Sequence, residues 1–272
     1  MHTLMEVATN NRLRITAEDL RRNFVLKHGA LETTGWAPRR RLRFGYHPPA
    51  DHYETLINKL VTEYTDWIDV GGGGALFPNN ETLARVLSER ARRLVGVDPS
   101  DNIDTNSFLH EHVKCRIQEY KTNEQFDLAT LRMVAEHIMY PTSVIRALNR
   151  LLRHSGVVVV FTVNRWSPVT MVSRLLPFAL HHPVKKIFWG SEEKDTFPTV
   201  YKMNTRKHLK KLFADNGFEE KLFAYLDDLS VFGRFKLLNY AELFMWQILK
   251  GLRLSYLENC LLGVYEKIHD AP

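Results

Sequence analysis

Two carboxylates and a run of glycines carry the clearest chemical signal in this chain. Trp67-Ile68-Asp69-Val70 is an apolar stretch that breaks into Gly71-Gly72-Gly73-Gly74, and Leu94-Val95-Gly96-Val97 is a second apolar stretch that ends on Asp98. The segment between them, Thr82 to Arg93, is compatible with a helix. Glycines at the end of a strand let the backbone approach a ligand closely, and the next helix presents unpaired N–H groups to it. An acid closing the second strand sits where it accepts both hydroxyls of a ribose. The spacing therefore predicts one βαβ unit holding a nucleoside cofactor. A glycine run alone reads more readily as a turn or linker; the flanking strands and the two acids decide against that.

The cofactor follows from what the loop lacks. The dinucleotide fingerprint needs a glycine three residues after Gly73, where Leu76 stands, and no Gly-Lys-Ser/Thr follows to make a P-loop. Asp69 would repel a pyrophosphate but suits an ammonium group. A ligand with a ribose at one end and an amino acid at the other is S-adenosylmethionine. Asp69-Val70-Gly71-Gly72-Gly73-Gly74 resembles the first motif of class I S-adenosylmethionine-dependent methyltransferases, Asp/Glu-x-Gly-x-Gly-x-Gly, with Ala75 in place of the last glycine. The resemblance implies a cofactor site of Asp69, Gly71, Gly72, Gly73 and Asp98, with Pro99 beside the ribose acid. A side chain at Gly71 or Gly73 would enter the space the cofactor needs.

Phe126-Asp127-Leu128-Ala129-Thr130-Leu131 leading to Glu136-His137 resembles the fourth-strand motif of the small-molecule methyltransferases, which implies that the backbone at Leu131, at the strand end, faces the methionine portion. By the same resemblance Arg116 and Ile117 fall at the adenine edge. The family commonly has a carboxylate at the Arg116 position, and an exposed strand end is the competing reading there.

These residues need a doubly wound α/β frame: a Rossmann-like, mainly parallel seven-stranded sheet with an antiparallel last strand, plus a helical or irregular cap. The resemblance spans Asp51 to Thr162 and, more loosely, strands at Phe218–Tyr225 and Asn259–Lys267. Leu148 to Arg153 reads as a helix stopped by Gly156, and Val157 to Thr162 as a strand buried on both faces. Thr16 is a candidate N-cap for a helix to Lys27. Residues 1–50, with the breaker- and aromatic-rich stretch Gly35 to Pro49, form an expected lid segment, and 51–272 the methyltransferase domain. Residues 164–204 are much longer than the connection after the fifth strand requires and carry Trp166, His181, His182 and Trp189, so they read as an inserted substrate cap. Phe235 to Leu254 has apolar residues at helical spacing (Leu238, Ala241, Met245, Ile248, Leu249, Leu252) and is expected either to partner the cap or to cover the sheet.

Methyl transfer needs an aligned nucleophile and, for an oxygen nucleophile, a base. His137 stands where the family places one; Glu136-His137 as a purely structural pair is the competing reading, and His181 and His182 are rival bases. No Asp-Pro-Pro-Tyr or Asn-Pro-Pro-Tyr follows the fourth strand, which argues against adenine or glutamine N-methylation. The leading expectation is O-methylation of a small metabolite. The alternatives are a non-catalytic S-adenosylmethionine-binding accessory protein, or N- or C-methylation of a lipid-like substrate.

With 272 residues and 44% hydrophobic content the chain builds one substantial core. Its net charge of +6 is spread over separate clusters without a base-stacking platform, which disfavours nucleic acid and is compatible with an anionic small molecule or an anionic membrane surface. Cys115 and Cys260 have no metal-type spacing, no metal site is expected, and both read as small buried residues. No apolar run of spanning length and no signal-peptide pattern is visible, so a soluble cytoplasmic protein is expected.

Overall fold

The computed structural model describes residues 12–168, 170, 171, 199–230, 232, 233, 235–254 and 256–271. Seven strands form one sheet: β1 (Asp66–Val70), β2 (Arg93–Val97), β3 (Glu111–Val113), β4 (Phe126–Arg132), β5 (Leu152–Val163), β6 (Phe218–Leu226) and β7 (Cys260–Lys267). Their spatial order is β3-β2-β1-β4-β5-β7-β6. The first five are parallel, and β7 runs antiparallel to both β5 and β6. This is the doubly wound sheet with an antiparallel last strand that the pattern predicted. β1 and Val158–Phe161 of β5 are buried, which is why they read as continuous apolar runs.

Helices cover both faces. On one side lie α1 (Ala17–His28), α3 (Pro49–Leu60) and α4 (Glu81–Arg90); α2 (Trp36–Arg43) lies between α1 and α3 in the chain. Tyr53, Leu56, Ile57 and Leu60 of α3 pack with Leu83 and Leu87 of α4 against Trp67, Leu94, Leu128 and Phe161. On the other side α5 (Pro141–Leu151) and α6 (Arg206–Ala214) pack Ile145, Leu148, Leu209 and Phe213 against Ile68, Val95, Ala129, Val158 and Tyr265. A last helix, α7 (Lys236–Gly251), is inserted between β6 and β7. Helix starts follow capping chemistry: Thr16 forms a capping box with Asp19, Asn80 caps α4 through the Leu83 N–H, and Thr205 caps α6 through the His208 N–H.

The N-terminal helix is tied down by a buried polar cluster. Lys27 Nζ lies 2.9 Å from both Asp51 Oδ1 and Glu54 Oε1, and the amides of Asn23 and Asn80 donate to Glu54 Oε2 at 3.1 and 2.8 Å. Asn80 thus caps α4 with its oxygen while its nitrogen ties that helix to α3.

Two sequence expectations are corrected. Gly156 does not stop the helix: α5 ends at Leu151, and β5 begins at Leu152. Pairing jumps from Phe126–Leu152 to Leu128–Val157, so residues 153–156 form a bulge in which Ser155 has φ +63°. A side chain at Gly156 would meet the Arg153 and Phe126 carbonyl oxygens at 2.9 and 3.2 Å. The second correction concerns α7 as a cover for the sheet, because its apolar stripe points outward; most of the cap it was also expected to partner lies outside the described residues. Asn239, Glu242, Leu243 and Trp246 are buried instead, while Leu238, Met245, Ile248 and Leu252 are exposed.

Candidate active site

The β1 and β2 ends meet at the carboxyl edge of the sheet, and the glycine loop turns there under tight constraint. Gly71 has φ +80°, donates its N–H to the Val97 carbonyl at 2.9 Å, and a Cβ on it would fall 2.2 Å from Val134 Cγ2. Only glycine accommodates both the dihedral and the contact. The buried Asn106 amide donates to the Gly72 carbonyl at 2.8 Å and holds the loop from beneath. Gly73 donates its N–H to Asp98 Oδ2 at 3.2 Å, and a Cβ there would stand 2.7 Å from that oxygen. Gly74 faces open space.

Asp98 is oriented from both sides, because the Ser100 N–H donates to its Oδ1 at 2.7 Å. Each carboxylate oxygen accepts one backbone N–H in this way and retains capacity for one ribose hydroxyl. Pro99 beside it is exposed. The side-chain-free cradle at Gly72 to Gly74 and the anchored carboxylate together fit the nucleoside half of S-adenosylmethionine.

Asp69 is buried on β1. The Thr130 hydroxyl donates to its Oδ1 at 2.5 Å, and Thr130 accepts the Trp67 indole N–H at 2.7 Å. Burial pushes the Asp69 carboxyl up to about 7, with the Thr130 hydrogen bond and the Arg132 charge pulling down and Asp98 pushing further up. A ligand ammonium near Asp69 would supply the missing positive charge. Thr130 and Asn106 were missed in the sequence. Thr130 becomes visible once the parallel register pairs it with Asp69; Asn106 has no sequence signal.

Leu131 is fully buried at the end of β4, and the chain bends after it at Met133, which has φ +53° and bonds the Phe161 carbonyl at 2.7 Å. Ile117 is buried in the core with Val97 and Leu131, whereas Arg116 is exposed, its backbone N–H held by Glu119 at 3.2 Å. Glu136 and His137 lie on a 3-10 turn, Ala135–His137. Glu136 is buried and accepts from the Thr162 hydroxyl at 2.7 Å, and Asn204 donates to that hydroxyl at 2.8 Å. The Glu136 carbonyl also accepts from Val200 and Tyr201. Glu136 therefore ties the end of β4 to β5 and to the segment entering α6, and it presents the half-buried His137 beside it.

His181, His182, Trp189 and most of the expected cap lie outside the described residues. The described flanks of that segment line a cavity of about 310 Å³ with Asn164, Trp166, Ser167, Thr205, Tyr225 and Tyr256. A second cavity of about 580 Å³ lies between the start of α3 and the end of β6, lined by Tyr46, His47, His52, Asp227, Trp246 and Lys250 among others. Burial pushes His52 down to about 4, with His47 adding to the effect, and burial lowers His47 as well. These two histidines drew no attention in the sequence because they precede the recognisable motif. The glycine loop lines neither cavity.

The strand order, the glycine cradle and its paired acids define a class I S-adenosylmethionine-dependent methyltransferase. The chain belongs to the methyltransferase-domain family, which matches residues 29–220, and S-adenosylmethionine is its cofactor. Among curated relatives, the ubiquinone biosynthesis O-methyltransferase of Stutzerimonas stutzeri (strain A1501) is 28% identical over 125 residues, which are 42% of this chain and 49% of that protein. The chain spans about half the length of the curated relatives it matches. Among solved structures, a chain from the complex of the Haloferax volcanii Trm112 methyltransferase activator with a methyltransferase superposes with a TM-score of 0.53 at 14% identity, over 87% of this chain and 96% of that one. The N-methyltransferase NodS of Bradyrhizobium japonicum WM9, in complex with S-adenosyl-L-homocysteine, gives a TM-score of 0.47 at 13% identity over 93% of this chain and 98% of that one. Among the described residues, no helix is long and apolar enough to cross a membrane.

Proposed function

We propose that this protein methylates an oxygen of a small metabolite held at the carboxyl edge of β4, β5 and β6. The observation that carries the reading is the Asp98 carboxylate, fixed by the Gly73 and Ser100 N–H groups at the rim of a cradle without side chains. When bound, S-adenosylmethionine supplies an electrophilic methyl carbon on a sulfonium. Asp98 and the glycine loop would hold its ribose, and Asp69 would face its ammonium. The acceptor oxygen would be held in line with that methyl carbon, and its proton would pass to His137. Glu136 keeps that turn in place through Thr162.

The name of the curated O-methyltransferase relatives supports oxygen as the nucleophile. His52 is the second candidate base, because burial in the larger cavity keeps it neutral. The test is transfer of a labelled methyl group from S-adenosylmethionine into metabolite extracts, followed by identification of the labelled product. An O-methylated product supports the proposal; a labelled amine or carbon overturns the choice of oxygen. Tight binding without any labelled product makes the chain a cofactor-binding accessory.

A further inference from the structure

Antiparallel neighbours such as β6 and β7 need only a tight hairpin, yet residues 227–259 join them and carry α7. The helix is reversed relative to an ordinary surface helix. Its polar Asn239 and Glu242 are buried with Leu243 and Trp246, whereas Leu237 is 84% exposed, Phe244 61% and Leu252 64%. At 100° per residue, Leu237, Phe244, Ile248, Leu252, Met245 and Leu238 occupy one continuous outward arc. An exposed apolar stripe of this size marks an interaction surface.

Charge identifies the occupant. Lys236 and Arg253 are exposed on the two flanks of the stripe, and the one acid of the helix, Glu242, is turned inward onto Asn239 and Tyr256. At the base of the stripe the Arg40 guanidinium is sandwiched 3.7 Å from the Trp36 ring and 5.0 Å from the Tyr240 ring. Its Nη1 donates to the Lys236 carbonyl, and its Nε and Nη2 have no hydrogen-bond partner. Lys236 Nζ lies over the exposed Trp36 ring at 5.0 Å. Apolar residues at the centre, cations at the rim, and a Trp and a Tyr beside them are the pattern of a helix lying in a membrane interface. A second copy paired across a twofold axis would bring identical cationic rims together, whereas anionic lipid neutralises them.

We propose that α7 docks its outward face onto an anionic lipid bilayer, with Leu237, Phe244 and Ile248 in the acyl boundary and Lys236 and Arg253 against lipid phosphates. The docking does not depend on which acceptor is methylated. Trp246, Lys250, Arg253 and Leu254 also line the larger cavity, so a docked bilayer lies beside it.

The test is co-sedimentation of the full chain with phosphatidylcholine vesicles, with and without phosphatidylglycerol. Binding is expected with the anionic vesicles and should fall as salt rises. Phe244→Asp with Ile248→Asp should lower partitioning by about tenfold or more, with the circular dichroism spectrum and S-adenosylmethionine affinity unchanged. Lys236→Glu with Arg253→Glu leaves the apolar arc intact and should lose the preference for phosphatidylglycerol. A parent protein that does not sediment with anionic vesicles overturns the proposal, as do charge-reversed variants that bind like the parent. A dimer that is abolished by Phe244→Asp, without vesicle binding, assigns the face to a second copy and also overturns it.

Discussion

The Thr130 hydroxyl donates to Asp69 Oδ1 at 2.5 Å across the β1–β4 pair, and accepts the Trp67 indole N–H at 2.7 Å. One hydroxyl therefore fixes a buried carboxylate and satisfies a buried indole together. It also leaves the carboxylate short of positive charge, so its protonation near neutral pH becomes a property of the site.

Cofactor affinity should be pH-dependent through Asp69. Its folded-state value is raised from 3.8 to about 7, so the protonated form dominates below neutrality and must lose its proton to face an ammonium. S-adenosylmethionine should bind more tightly as pH rises from about 6 to about 8, with proton release visible as a buffer-dependent calorimetric enthalpy. Stability runs the other way. A carboxyl raised on folding stabilises below its unfolded value, and that contribution is lost as pH rises through about 7. Asp69→Asn should keep the Thr130 bond, exceed the parent in urea stability at about pH 8 by on the order of 3–4 kcal/mol, and converge with it in acid. A pH-independent affinity would show that Asp69 does not face the ammonium.

Thr130→Val preserves shape but leaves the Trp67 N–H and Asp69 Oδ1 without their partner. The expected loss is about 2–4 kcal/mol of unfolding free energy, with most of it recovered in Thr130→Ser. The pH midpoint of cofactor affinity should move up as well, since the hydrogen bond that favours the carboxylate is gone. Equal stability of the Val and Ser variants would mean that the hydroxyl is not needed.

Three of the four glycines should respond differently. Gly71→Ala puts a Cβ against Val134 at φ +80°, so it should lower the melting temperature as well as binding. Gly73→Ala meets the Asp98 carboxylate, and should weaken S-adenosylmethionine about tenfold or more with little loss of stability. Gly74→Ala meets nothing within 4 Å and should resemble the parent. The obstruction at Gly71 and Gly73 is thus protein rather than cofactor. Identical behaviour of the three variants would reduce the loop to a turn.

Asp98→Ala should weaken S-adenosylmethionine and S-adenosylhomocysteine alike, because both carry the ribose and each charge-assisted bond contributes about 1.5–3 kcal/mol. His137→Gln should spare both affinities and lower kcat about 10²–10⁴-fold. If His52→Gln gives that loss instead, the base belongs to the larger cavity.

Contiguous features were legible in the amino-acid sequence. The β1–loop–β2 unit, the Thr16 cap and the buried run in β5 each depend on neighbouring residues, whose backbone and burial demands show locally. From them the sequence by itself determined the fold class, the cofactor and the positions of Asp69, Gly71, Gly73 and Asp98. Tertiary structure decided what depends on partners distant in the chain. Parallel register brings Thr130 to Asp69, and loop packing brings Asn106 to Gly72. The sheet continues back to Leu152, so Gly156 falls in a bulge rather than at a helix end. Periodicity showed that α7 has an apolar stripe, but hydrophobicity alone does not choose which side of a helix meets its own protein. Asn239 and Glu242 could turn inward because they bond each other and because Tyr256 donates to Glu242. Those partners exist only once the chain has folded, and they are what free the apolar side for a surface outside the molecule.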